Sequence, residues 1–272
     1  MQSSRQRVVI TGAGSGLGRE LALRYAREGA QLALADIHDD GLVETLAMVR
    51  EAGGWGFTQR CDVRDFSQLA ALAQSCQERM EGIDVLINNA GVASGGLFWE
   101  LTLEDWEWQI SVNLMGVVKG CKAFVPMLTR QRSGRIINIA SMAALMQSPG
   151  MSNYNVAKAG VVALSESLLA ELKPLGIEVN VACPSFFQTN LLDSYRGPDQ
   201  ASKDQIAKLL QSSPISAAEV AESIYTQSEA GRFMILPHES GRQAWALKQT
   251  NPDAVYAEMT RLMEKRLATS TP

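Results

Sequence analysis

Residues 8–19 read Val8-Val9-Ile10-Thr11-Gly12-Ala13-Gly14-Ser15-Gly16-Leu17-Gly18-Arg19. The apolar β-branched start predicts a short buried strand and the glycines a tight turn. The run that follows predicts a helix, with Leu21, Ala22 and Tyr25 on one side and Arg19, Glu20, Arg24 and Arg27 elsewhere. Such a turn lets backbone approach a bulky anion, and the helix start adds unpaired N–H groups and the positive end of its dipole. A pyrophosphate suits that site, and the flanking strand and helix supply the context a glycine string needs to carry weight. Asp36 lies 18 residues beyond Gly18, at the end of the next apolar run. A carboxylate there accepts both hydroxyls of an adenosine ribose and repels a 2′-phosphate. No Arg or Lys follows at Ile37 or His38, so NAD is expected over NADP. The plainer alternative is a strand-end acid that opens the turn Asp36–Gly41.

Outward from this stretch, apolar runs recur at Val8–Ile10, Leu32–Ala35, Val85–Ile87, Ile136–Ile139 and Val179–Ala182, separated by helical periodicity. Strands alternating with helices mean βαβ units and a parallel sheet, and strands apolar throughout mean helices on both faces. Ser216–Ala230 reads as a helix and Arg232–Leu236 as a last strand. Asn251–Leu267 reads as an amphipathic helix carrying Val255, Met259, Leu262, Met263 and Arg266 at helical spacing. The Ser/Pro/Gly-rich stretch Ser194–Ser213 is expected to be a long loop or lid. The reading is a doubly wound α/β fold of about seven mostly parallel strands. It is a single domain, residues 1–237, with a C-terminal helical extension, residues 238–272, packed on the same domain or on a neighbouring subunit.

The 272 residues are 46% hydrophobic and 20% charged, with a net charge of −4. That length buries a full core, and the acidic balance argues against nucleic acid, which needs a basic face. No apolar run reaches the ~20 residues of a membrane span. The start MQSSRQRVVI lacks the apolar region and cleavage site of a signal peptide. Cys61, Cys76, Cys121 and Cys183 lie far apart with no histidine nearby, so neither a metal site nor a disulfide framework is expected. A reducing cytoplasm is the expected location. His38 and His238 are the two histidines.

Tyr154 and Lys158 stand four apart in Tyr-Asn-Val-Ala-Lys, at the start of a run that reads as helix. That spacing places both side chains on one helical face. A phenol is a poor base at neutral pH. A neighbouring ammonium stabilises the phenolate, so such a tyrosine can exchange a proton with an alcohol or a carbonyl oxygen. The bland alternative is a surface pair. Ser141 ends the strand Ile136–Ile139 run and falls at the carboxyl edge of the sheet, where it can hydrogen-bond a substrate oxygen. Alternatively it caps a turn. Asn113 lies in the otherwise helical, apolar Trp108–Met115, where its side chain competes with backbone bonding, or is satisfied by a backbone carbonyl.

With these residues in view, the sequence resembles the short-chain dehydrogenase/reductase family in its single-domain form, a Rossmann fold, from about Val8 to Leu236. The glycine pattern is Thr11-Gly12-x-x-x-Gly16-x-Gly18, Asn88-Asn89-Ala90-Gly91 matches the family's NNAG, and Asp62-Val63 matches the pair after the third strand that contacts adenine. The resemblance implies a catalytic set of Asn113, Ser141, Tyr154 and Lys158, with Asn113 holding a water that links the lysine to solvent. It implies a cofactor held by Gly12, Ser15, Gly16, Leu17, Gly18, Asp36, Asp62, Val63, Asn89, Ala90, Gly91, Tyr154, Lys158, Pro184 and Thr189. Thr189 is expected on the nicotinamide carboxamide. Pro184-Ser185 departs from the family's Pro-Gly, which removes a backbone freedom.

Pocket candidates are Ser94 and Phe98, then Met142, Leu145 and Met146, then Phe186, Phe187, Leu191 and Leu192. Most are apolar and none is basic, which points to an apolar or medium-sized secondary alcohol or ketone. The resemblance also implies a homodimer or homotetramer paired through the helices of Asn113 and Tyr154, with Ala157, Ala159, Gly160 and Ala163 offering close packing. The tail is expected to contact a neighbour, cover the pocket or cap its own domain. The expected activity is NAD-dependent hydride transfer. Alternatives are an NADPH-dependent carbonyl or 3-oxoacyl reductase, which Asp36 opposes, and a non-catalytic dinucleotide sensor, which has no need of the Tyr-Lys-Ser-Asn set.

Overall fold

The computed structural model describes residues 5–198 and 200–269. Its first half runs β1 (Arg7–Thr11), α1 (Gly16–Arg27), β2 (Gln31–Asp36), α2 (Asp39–Glu51), β3 (Trp55–Arg60), α3 (Phe66–Met80), β4 (Val85–Asn88), α4 (Leu103–Asn113) and α5 (Met115–Gln131). The second half runs β5 (Gly134–Ile139), α6 (Ala143–Met146), α7 (Ser152–Leu172), β6 (Ile177–Ala182), α8 (Gln200–Gln211), α9 (Ala217–Glu229), β7 (Met234–Ile235), α10 (Glu239–Thr250) and α11 (Pro252–Thr269).

The seven strands form one sheet in the order β3-β2-β1-β4-β5-β6-β7, with every pairing parallel. Neighbouring strand residues point to opposite faces. Val9, Ala33, Leu86 and Ile136 therefore join the core under α3, α5 and α7, while Val8, Ile10, Leu32 and Ile87 join the core under α1, α2 and α9. This is why the central strands carry apolar residues toward both faces. The chain turns one way from β1 to β2 and the other way to β4, so the carboxyl ends of β1 and β4 flank a crevice at the reversal of strand order. Thr11, Asn88 and Ile139 end their strands on that edge.

Several expectations change. Ser194–Ser213 is not one long loop, because it contains the twelve-residue helix α8. Ser194, Pro198, Ser212 and Ser213 flank the helix, and Ile206 and Leu210 line the crevice. The third strand, Trp-Gly-Phe-Thr-Gln-Arg, has no β-branched apolar run because it is an edge strand with exposed ends. The last strand shrinks to Met234–Ile235. The helical run through Asn113 breaks at Leu114, between α4 and α5. Of the small residues on α7, Ala157 is fully buried, and a Cβ on Gly160 would come 2.9 Å from Leu114 Cδ2 of the same chain. Both are thus engaged within the subunit. The tail forms two helices, and α10 packs against α6.

Candidate active site

The glycine turn is locked to the loop after β4. Thr11 Oγ1 accepts from the Asn89 and Ala90 amides, each at 3.1 Å, and Asn89 Nδ2 donates to Thr11 O and Gly12 O, each at 3.0 Å. Gly12 has φ +66°, and a Cβ there would sit 2.7 Å from Ala90 Cα. The backbone must be left-handed and bare at that point. Ser15 opens α1 without making a side-chain cap, and the first turn of α1 holds no acid. The helix start is therefore left for an anion from outside.

Asp36 closes this end. Its Oδ2 accepts from Gly14 N at 3.0 Å and its Oδ1 from His38 N at 3.1 Å, which leaves lone pairs on both oxygens. The nearby Arg19 is engaged with Gly14 O, Thr45 Oγ1 and Glu44. Sheet register sets Arg60 beside Asp36, a proximity that sequence spacing does not reveal; its guanidinium bonds Ile37 O at 3.2 Å. Asp62 carries a two-point ion pair from Arg64, which holds its carboxyl below the usual range. Val63 is buried, and a Cβ on Gly116 would come 2.8 Å from its methyl.

The crevice has a volume of about 1200 Å³. It brings together Gly12, Ser15, Gly16, Leu17, Asp36, Asp62, Val63, Asn89, Ala90 and Gly91 at one end. Asn113, Ser141, Tyr154, Lys158, Pro184 and Thr189 line the same space, with Ser94, Met142, Met146, Phe186, Phe187 and Leu191 on its walls. Four expected residues do not line it. Gly18 lies behind the turn, where a Cβ would fall 2.0 Å from Gly12 O. Leu145 is buried in the core, Leu192 is half-buried outside, and Phe98 stands exposed with its ring edge on Trp106.

At the chemical end, Lys158 is buried and its Nζ donates to Ile139 O at 2.9 Å. Burial lowers its pKa to about 8. The Nζ lies 5.8 Å from the centre of the Tyr154 ring. Burial pushes the Tyr154 phenol up to about 12, against a hydrogen bond with Ser141 that pulls it down. The expectation of a phenol made acidic by its lysine is thus not met by the chain's own groups: loss of solvent is the largest influence on the phenol, and the lysine is not among the groups that shift it. Ser141 Oγ accepts from Ala143 N at 3.1 Å. Asn113 is fully buried, with Oδ1 accepting from Val92 N and Nδ2 donating to Val92 O, each at 2.9 Å. It therefore clamps the backbone just past Gly91, and the α4–α5 break follows directly after it. A Cβ on Gly91 would lie 2.9 Å from Asn113 Oδ1 and 3.6 Å from Lys158 Nζ, so this glycine separates the two side chains.

Some residues at or behind the crevice wall escape sequence reasoning. Asn153, next to the tyrosine, takes the Tyr154 amide on Oδ1 and donates to Ser94 Oγ at 2.8 Å, joining the α7 start to the opposite wall. Arg196 stands at the crevice with its guanidinium 4.2 Å from the Trp108 ring centre. Cys183 is buried, its thiol pushed to about 12, in the electrostatic reach of Tyr154 and Lys158. Ser240, Gly241 and Ala244 of α10 complete the wall. Only Asn153, adjacent to Tyr154, had a local signal.

Comparison with known proteins gives concordant matches. The family model described as short chain dehydrogenase matches residues 6–200. "Probable oxidoreductase EphD" of Mycobacterium tuberculosis is 37% identical over 186 residues, 68% of this chain; the chain spans only 31% of that relative's length. "CLA biosynthesis dehydrogenase/reductase" of Lactiplantibacillus plantarum is 30% identical over 84% of this chain and 86% of the relative. A solved short chain dehydrogenase/reductase from Burkholderia phymatum, in complex with NAD, superposes with a TM-score of 0.87 at 32% identity, covering 93% of this chain and 96% of that one.

Proposed function

The chain belongs to the short-chain dehydrogenase/reductase family of oxidoreductases, and on that footing we propose that it interconverts a secondary alcohol and its ketone with NAD. One observation carries the reading: a single crevice at the carboxyl edge of the sheet is lined by the bare glycine turn, by Asp36 and by Ser141, Tyr154 and Lys158. The fit to a dinucleotide rests on the cradle itself. No Cβ is tolerated at Gly12, the α1 start is uncapped and free of acids, and the Asp36 carboxylate retains acceptor capacity. The glycine turn would hold the pyrophosphate, Asp36 the adenosine ribose, Asp62 and Val63 the adenine, Lys158 the second ribose, and Pro184 and Thr189 the nicotinamide. When bound, the nicotinamide supplies or accepts a hydride.

The chain's own groups handle the proton and the oxygen. Ser141 donates to the substrate oxygen and stabilises charge there. Tyr154 gives its proton to that oxygen in reduction and takes it back in oxidation. Lys158 contributes positive charge while it stays protonated, below about 8. Because burial keeps the phenol protonated at neutral pH, reduction is expected to run at neutral pH and oxidation to climb as pH rises. Asn113 fixes Val92 and so the floor of the crevice. The largely apolar wall suits a medium-sized apolar substrate. Asp36, with Arg19 tied to Glu44, favours NAD over NADP.

A panel of ketones and alcohols, run with NADH, NADPH and their oxidised forms, tests the reading. Turnover is expected with NAD(H) in preference to NADP(H). Y154F is expected to lose at least ~10²-fold in turnover while NAD binding persists. Full turnover in Y154F sinks the acid–base assignment, and a clear NADPH preference sinks the cofactor assignment.

A further inference from the structure

His238 stands at the start of α10 but makes no capping bond. Its ring is 6% exposed and turned toward the loop after β6. Nδ1 accepts from the Ser185 amide at 3.2 Å, and Nε2 lies 3.0 Å from Phe186 O. An amide can only donate and a carbonyl can only accept. Both bonds therefore require a neutral imidazole with its proton on Nε2. The ring also meets Phe187, centre to centre 6.3 Å. These bonds fall at the turn where Ser185 follows Pro184, between the crevice residues Pro184 and Phe187. Pro184 O in turn accepts from Met142 N at 2.9 Å and lies 3.5 Å from Ser141 Oγ. A short covalent and hydrogen-bonded path thus runs from the imidazole to the serine at the chemical end.

The same helix grips the facing wall. A Cβ on Gly241 would lie 3.1 Å from Met142 Sδ, and Lys248 Nζ donates to Leu145 O at 2.6 Å and bonds the Gln147 side chain. We propose that His238, as the neutral Nε2–H tautomer, is a positioning residue that pins Ser185 and Phe186, so that Pro184, Phe186 and Phe187 stay set as the substrate wall beside Ser141. The proposal rests on the oxidoreductase reading for its kinetic arm only. Protonation would place an N–H on Nδ1 facing the Ser185 N–H, donor against donor. Burial already disfavours the charged ring, and the charge facing it is the Arg242 guanidinium of its own helix, itself bonded to Glu239. Residues 184–187, packed on the other side, hold no titratable side chain.

The test compares full-length wild type with H238F, H238A and H238N. H238F keeps a flat ring without either bond, and H238N restores a side-chain acceptor for the Ser185 amide. H238F and H238A are expected to raise KM for the ketone at least fivefold, with ADP-ribose affinity unchanged within twofold, because that probe fills the end of the crevice remote from the loop. H238N is expected to recover at least half of the lost kcat/KM. Wild-type kinetics in H238F, or equal impairment of H238N and H238A, overturns the proposal. Nitrogen-15 NMR of the folded wild type keeps the question open to test even if the variants do not fold. The Nε2–H form is expected across neutral pH, and an Nδ1–H form or a ring titrating at the ordinary 6.5 overturns it. A wild type without turnover would count against the oxidoreductase reading and leave the tautomer result to decide this one.

Discussion

Lys158 shows how much stability the crevice gives up to hold a buried amine. An ammonium has three protons to donate, and among the described residues this one reaches a single acceptor, Ile139 O. Desolvation without full compensation is costly, and it appears as a pKa lowered from 10.5 to about 8. Between those values the unfolded lysine holds a proton that the folded one has lost. Wild-type stability should therefore rise with pH from about 8 to 10, and the penalty is complete below 8. K158M keeps the stem and removes the charge. At pH 7 it is expected to unfold later in denaturant, by on the order of 3 kcal/mol at ~1.4 kcal/mol per pH unit, without the rise between pH 8 and 10. It is also expected to lose turnover. Equal or lower stability of K158M at pH 7 would contradict this account of the lysine.

Between elements, the β1–α1 turn and the loop after β4 act as one piece, joined by Thr11 and Asn89. Gly18 is central although it does not touch the crevice, because a Cβ there would meet Gly12 O at 2.0 Å and Asn89 Nδ2 at 2.6 Å, so only a bare residue lets α1 pack this close to the turn. G18A has no flexible neighbour to push aside. It is expected to cost roughly 1–3 kcal/mol, the range for forced overpacking, and to weaken NAD binding at least tenfold, read by denaturation and by titration calorimetry. Unchanged affinity in G18A would show that the turn tolerates a shift of α1.

Across the whole molecule, α9 covers the sheet beside α1 and joins chain regions nearly 200 residues apart. Arg24 bonds Glu28 and Glu222 and stacks 3.7 Å from the Tyr225 ring centre, while Tyr225 meets Tyr25 edge-on at 5.0 Å. The Arg24 side chain is 14% exposed, so its charge is only partly screened. R24A is expected to lower stability by about 1–2 kcal/mol through the lost stacking and pairing, visible as a fall in Tm of a few degrees. Turnover below that temperature is expected to stay unchanged, because the seam does not line the crevice. A loss of turnover with Tm preserved would show that α1 carries strain from this seam to the glycine turn.

The sheet, its helices and the crevice edge were legible locally. Strands buried on both faces, such as Val8–Ile10, carry apolar residues at successive positions, Asn138 in the Ile136–Ile139 run being a buried polar residue bonded to Asn88 and Ser165, and parallel connections send every carboxyl end to one edge. Glycine turn, strand-end serine and Tyr-x-x-x-Lys spacing could therefore be placed in one crevice before any coordinates. The sequence by itself determined which side chains sit along that edge. Tertiary structure decided what no window reveals: Asn113 on Val92, 21 residues away; Lys158 on Ile139, 19 away; Arg60 beside Asp36; and His238 on Ser185, 53 away. It also decided that α8 and α10, whose polar faces hid them, wall the crevice. The reason is physical. Periodicity records whether a residue is buried, whereas its hydrogen-bond partner is set by which elements pack together and in what register.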